Sequence, residues 1–113
     1  MLTFTIEDQK CEQEITIYIG QSAEENWKLI DDASQNDLWF HVAEHPSPHV
    51  IIKVPEKAKV SPKTIKYAAV LCKQYSKLKS MKKLSIMYTD IKHVTKADKV
   101  GSVTTSKTKF IVI

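Results

Sequence analysis

Asn36-Asp37-Leu38-Trp39-Phe40-His41-Val42 constrains this chain more than any other stretch. Apolar and polar-capable residues alternate strictly, the period of a β-strand. Leu38, Phe40 and Val42 fall on one side and form a core face. Asp37, Trp39 and His41 fall on the other, a carboxylate, an indole and an imidazole in a row. An indole facing only water is costly and uncommon. The second face is therefore expected to pack under a loop or to meet a flat, polar ligand such as a nucleobase.

The elements around this strand can be read from local signals. Leu2 to Ile6 and Ile15 to Ile19 read as strands joined by an acidic turn, the second stopped by Gly20. Ser22-Ala23-Glu24-Glu25 is a capping box that opens a helix from about Ala23 to Ala33, with Trp27 and Ile30 inward. Asp37 to Ala43 is the alternating strand. Glu44 to Pro48 is a turn, and His49 to Val54 is a strand that returns as a hairpin. Ser61-Pro62 places an N-cap before proline at the first helical position, and the helix is expected to reach about Lys79. Ile65, Ala68, Leu71, Cys72, Tyr75 and Leu78 share one side of it, while Lys63, Lys66, Lys73 and Lys77 share the other. Leu84 to Thr89 is a strand, and Val100 to Thr105 with Lys109 to Ile113 read as a closing pair. The expected fold class is α+β: a single domain over residues 1–113, mostly an antiparallel β-sheet covered by two main helices.

Charge divides the chain in two. Met1 to Glu56 holds 3 Lys against 11 acids, and Lys57 to Ile113 holds 14 Lys against 2, so the net +4 conceals a balance of −8 beside one of +12. Such asymmetry points to a polyanionic partner. All 17 basic residues are Lys. Without Arg there is no bidentate fork for phosphate or guanine, and Lys contacts phosphates as a mobile point charge with little sequence preference.

Other classes are thinly supported. No apolar run is long enough to span a bilayer, and the N-terminus shows no basic region followed by an apolar one. Cys11 and Cys72 make neither a metal spacing nor a disulfide framework, so a reducing, cytoplasmic setting is expected, with Cys72 a small core residue. His41, His45 and His49 recur every four residues, but Pro46 and Pro48 forbid the helix that would align them on a metal. His93 reads as a surface or strand-end residue. The chain has 2 Gly and lacks a nucleophile elbow, a phosphate loop and a dinucleotide turn. No catalytic residue, metal or cofactor is therefore expected. A small hydrolase using His41, with Asp37 beside it, is the weakest alternative. A protein-interaction adaptor, docking a basic partner on its acidic half with Trp39 as core, is a stronger one.

The pieces together resemble the NFACT-R domain, the RNA-binding domain of ribosome-associated quality-control factors. The resemblance rests on Gly20 with Asn26 six residues on, the Asp37 to Val42 strand, the turn into His49-Val50, and the segment from Lys96 to Gly101-Ser102-Val103. It spans roughly Ile15 to Ile113. Thr16-Ile17-Tyr18-Ile19-Gly20 looks most like the stand-alone, coiled-coil domain-containing protein 25-like members. The resemblance implies binding of structured RNA of the tRNA or rRNA type, a ribosome or protein partner, and a surface made by Asp37, Trp39 and His41 with His49 nearby. Trp39 is expected to stack on a base, with Asp37 and His41 orienting it. Lys66, Lys73, Lys77 and Lys96 are the expected phosphate contacts. The family often has Pro-Gly-Ser where this chain has Pro46-Ser47-Pro48, so its turn should differ and approach a ligand less closely.

Overall fold

The computed structural model describes residues 1–113. In chain order the elements are β1 (Leu2–Asp8), β2 (Gln13–Ile19), α1 (Ala23–Asp32), β3 (Leu38–Val42), β4 (Val50–Ile52), α2 (Pro62–Gln74), β5 (Ser85–Asp90), a single 3-10 turn (Ile91–His93), β6 (Val94–Lys96), β7 (Val103–Thr105) and β8 (Lys109–Val112). Six strands form one sheet in the order β1-β2-β4-β3-β5-β8, every pair antiparallel, and β6 and β7 form a separate hairpin. The α+β class expected from the sequence is the class observed.

Period-two alternation gives the sheet two faces, and each carries its own core. Ile15, Ile17, Ile19, Phe40, Val42, Val50, Ile52 and Ile86 project to one side, where Ala68, Ala69, Leu71 and Cys72 of α2 cover them. Phe40 stacks on Tyr88 with ring centroids 5.3 Å apart. Burying each large apolar side chain here contributes about 1.5–3 kcal/mol. On the opposite side Trp39 and Ile51 pack with Leu29 of α1 and Ile91 of the 3-10 turn. Trp39 thus lies opposite Phe40, and Phe40 lies under a helix, as the alternation requires.

Both helix starts follow their local signals. Ser61 accepts the Thr64 amide with Pro62 at the first turn, and Ser22 accepts the Glu25 amide. Glu25 reaches one residue further back than a capping box would have it, taking the Gln21 amide at 2.9 Å and the Met1 amine at 3.1 Å. Asp8, buried at the end of β1, accepts the amides of Lys10, Cys11 and Ser61 and the Thr64 hydroxyl. It ties the first hairpin to the start of α2.

Three expectations need correction. Helix α2 ends at Gln74 rather than near Lys79, because the Ser76 hydroxyl donates to the Lys73 carbonyl and accepts the Leu78 amide, closing the chain on itself. The last two strands do not pair with each other. β8 adds to β5, and β7 pairs with β6, a strand too short to announce itself in the sequence. On α1, Asn26 and Leu29 are the buried residues, while Trp27 lies half-buried with its Nε1–H donated to the Ser102 carbonyl.

Candidate nucleic-acid interface

The Asp-x-Trp-x-His face is built inward. Asp37 caps the turn before β3: one carboxylate oxygen takes the Ser34 amide and the Lys53 ammonium at 2.9 and 2.7 Å, the other takes the Val54 amide at 2.9 Å. It is buried, and its bonds bind β3, β4 and the preceding loop together. Trp39 has 0% of its surface exposed. Its indole Nε1–H donates to Nδ1 of His49 at 3.1 Å.

His49 is buried as well and held from several directions. Its amide donates to the Asn26 side chain at 3.1 Å, and its carbonyl accepts the Gly20 amide at 3.0 Å. A Cβ at position 20 would collide with Asn26 Oδ1, which is why this strand end carries glycine. Gly20, Asn26 and His49 are therefore one bonded unit linking β2, α1 and β4. Burial pushes the His49 imidazole down to about 3, with repulsion from His41 adding to the effect against a bond to the Gly101 backbone. Since Nδ1 accepts from Trp39, the ring is neutral with its proton on Nε2.

His41 lies at the rim of the same cluster, half-buried. Its ring is nearly parallel to Trp39 at 5.7 Å and edge-on to His49 at 5.2 Å. Its Nδ1 lies 2.6 Å from the Val42 carbonyl and so carries a proton, leaving Nε2 as the acceptor in the neutral ring. Burial lowers its pKa too. The β3–β4 turn is closed by Ser47, whose hydroxyl accepts the Val42 amide and donates to the Pro48 carbonyl, each at 3.0 Å. A serine side chain thus supplies bonds that close the turn, and Glu44 within it takes the left-handed conformation, with φ 61°.

Asp37, Trp39 and His49, expected from the sequence as contact residues, are thus buried. Each is enclosed and bonded within the protein, and Trp39 presents no ring face to a base. Their period-two pattern reported a sheet with two covered faces, not an open one. Of the four motif residues only His41 reaches the surface.

The lysines divide differently. Lys66 and Lys77 are exposed on α2 and the segment after it, and neither has a carboxylate partner. Lys73 is half-buried and donates to the Ile113 carbonyl at 3.0 Å. Lys96 is held by Asp31 at 2.5 Å and sits 5.0 Å over the Trp27 ring. Between Lys57 and Thr89 the chain has nine lysines and no acid, and none of the nine forms an ion pair with a carboxylate. Lys77 also borders an open cleft of about 620 Å3 shared with Tyr75, His45 and Ser22. No group of three or more His, Cys, Asp and Glu side chains is placed to hold a metal ion, and no helix is long and apolar enough to cross a membrane.

Comparison with known proteins agrees with this architecture. The Rqc2 homolog RqcH of Bacillus subtilis (strain 168) is 33% identical over 93 residues, covering 80% of this chain and 16% of that protein. The chain thus spans about a sixth of that relative's length. The structure of the C-terminal part of the fibronectin/fibrinogen-binding protein from Streptococcus suis superposes with a TM-score of 0.82 at 23% identity, over 96% of this chain and 43% of that one; it shares the fold. The profile of the NFACT protein RNA binding domain matches residues 1–108, and the chain belongs to that family.

Proposed function

We propose that this domain binds RNA without catalysing a reaction on it, holding structured RNA of the tRNA or rRNA type chiefly by its phosphates. The observation that carries the reading is the lysine-rich surface of α2 and the segment after it, where exposed Lys66 and Lys77 lack any carboxylate partner. Membership of an RNA-binding domain family supports it. Likeness to the Rqc2 homolog RqcH supports a place in translation or ribosome quality control, hence a cytoplasmic one, with the ribosome or a protein of that assembly as partner. In this reading Asp37, Trp39 and His49 position the strand ends, His41 offers a polar edge at the surface, and lysines supply the affinity. The absence of arginine makes the binding tolerant of sequence.

Binding of unmodified tRNA and of a ribosomal RNA fragment, followed by fluorescence anisotropy across a salt series, tests the reading. Four phosphate contacts would lower affinity about a hundredfold between about 50 and 200 mM salt. Affinity that ignores salt, or no binding at low salt, would sink it.

A further inference from the structure

Strand β8 is an outer strand of the sheet, and its two sides differ. Ile111 and Ile113 pack on the α2 core. Phe110 and Val112 point to the other side, 61% and 60% exposed. Met87 of β5 pairs with Phe110 on one flank and with His41 of β3 on the other. His41, Met87 and Phe110 therefore form one row across three strands, on the face opposite α2. The cover made by α1 and the β6–β7 hairpin ends within this row. Met87 still packs against the Trp39 cluster, whereas Phe110 beyond it stands open.

Lysines flank the open strand at both ends. Lys107 lies exposed where β8 begins, whereas Lys109 beside it projects to the α2 side with Ile111 and Ile113. At its far end Leu84 and Ile113 exchange amide–carbonyl bonds, which brings Lys82 and Lys83 alongside, and Lys73 donates to the Ile113 carbonyl. None of these five lysines has a carboxylate partner. A lone exposed apolar side chain needs no explanation. An exposed aromatic ring on a sheet face, next to a second exposed apolar side chain and bracketed by unpaired cations, has the composition of a single-strand nucleic-acid platform, where bases stack on the ring and cations hold the backbone.

We propose that the His41–Met87–Phe110 row seats an unpaired nucleobase of a single-stranded RNA segment, with Phe110 as the stacking face and Lys107 at one end of β8 and Lys82 and Lys83 at the other on the flanking phosphates. The seat rests on the RNA-binding reading and extends it. Buried Trp39 then serves the site from below: its ring lies parallel to His41 and fixes the imidazole at the inner end of the row. The Nδ1–H of His41 is committed to the Val42 carbonyl, so Nε2 is the atom left to accept a base N–H, such as the N3–H of uracil.

Anisotropy titrations with a labelled short oligouridylate and with a labelled RNA duplex of equal length decide the matter. Phe110→Ala should lower affinity for the oligouridylate about tenfold or more, the range of one lost base–aromatic stack. Its salt slope, its duplex affinity and its melting temperature should stay those of the parent. Phe110→Trp should restore the affinity, and its added fluorescence should be quenched by the oligouridylate. If Phe110→Ala binds the oligouridylate as tightly as a parent that does bind it, the seat is overturned and the RNA-binding reading stands. If the parent binds neither probe, both fall. If sedimentation shows a parent dimer that Phe110→Ala dissociates, the face belongs to a second copy of the chain and the seat is overturned.

Discussion

The indole Nε1–H of Trp39 donates to Nδ1 of His49, and this one bond joins the two most recognisable residues of the chain inside the protein rather than on its surface. It also decides a protonation state. A second proton on His49 would set two donors against each other across 3.1 Å, so the native state holds the ring neutral.

That neutrality predicts how stability depends on acid. The His49 imidazole is lowered from 6.5 to about 3 on folding, chiefly by burial. Below 6.5 the unfolded chain takes a proton that the native chain refuses, so stability is full above 6.5 and falls as pH drops toward 3. The slope approaches about 1.4 kcal/mol per pH unit inside that window. Asp8 adds a second, lower step. Burial raises its pKa, but the bonds from Thr64, Ser61, Cys11 and Lys10 outweigh it and hold the carboxyl well below 3.8. Its stabilisation is present above 3.8 and lost as pH falls through the depressed value. Urea melts at pH 7.5, 5.5 and 4.5 should show declining stability in the parent, and His49→Gln should flatten that decline. A parent equally stable at all three would refute the neutral His49.

Trp39 variants separate packing from hydrogen bonding. Trp39→Ala empties a buried site against Leu29, Ile51 and Ile91 and should cost about 3–5 kcal/mol. Trp39→Phe keeps most of the volume but leaves His49 Nδ1 without its donor, a loss of about 1–3 kcal/mol. Thermal melts of the two proteins check both figures. A melting temperature unchanged in Trp39→Ala would mean the indole is not core.

How much of this could be read beforehand varied with how local the cause was. Ser61-Pro62 and Ser22 start helices through contacts within one turn, and both starts are visible in the sequence. The alternation of 38–42 shows which side chains share a face. It cannot show that α1 and the 3-10 turn would fold over the Trp39 side, because that cover comes from Leu29 and Ile91, residues distant in sequence. The family resemblance pointed to Gly20, Asn26 and His49, and only the fold reveals why they belong together: one amide, one side-chain oxygen and one missing Cβ meet at a single point. The Phe110 row is not legible in the sequence, because it depends on β8 pairing with β5 rather than β7, a register no short-range pattern encodes.

The lysines give the last prediction, since the structure ranks them where the sequence treats them alike. Lys66 and Lys77 are exposed and unpaired, Lys73 is tied to the Ile113 carbonyl, and Lys96 is neutralised by Asp31. If α2 presents the phosphate-binding surface, each free lysine releases about 0.7–0.9 of a counterion on binding. Replacing Lys63, Lys66 and Lys77 together by Gln should therefore flatten the log–log salt slope by roughly 2–3 for tRNA. Lys96→Gln should change the slope by less than one contact, because its charge is already spent on a carboxylate and an indole face. Lys73→Gln should fall between the two, and should also loosen the end of β8 that it holds. Anisotropy across one salt series for all three proteins measures this. A triple variant with the parent's slope, beside a Lys96 variant that loses it, would move the phosphate contacts from α2 to the β6–β7 hairpin.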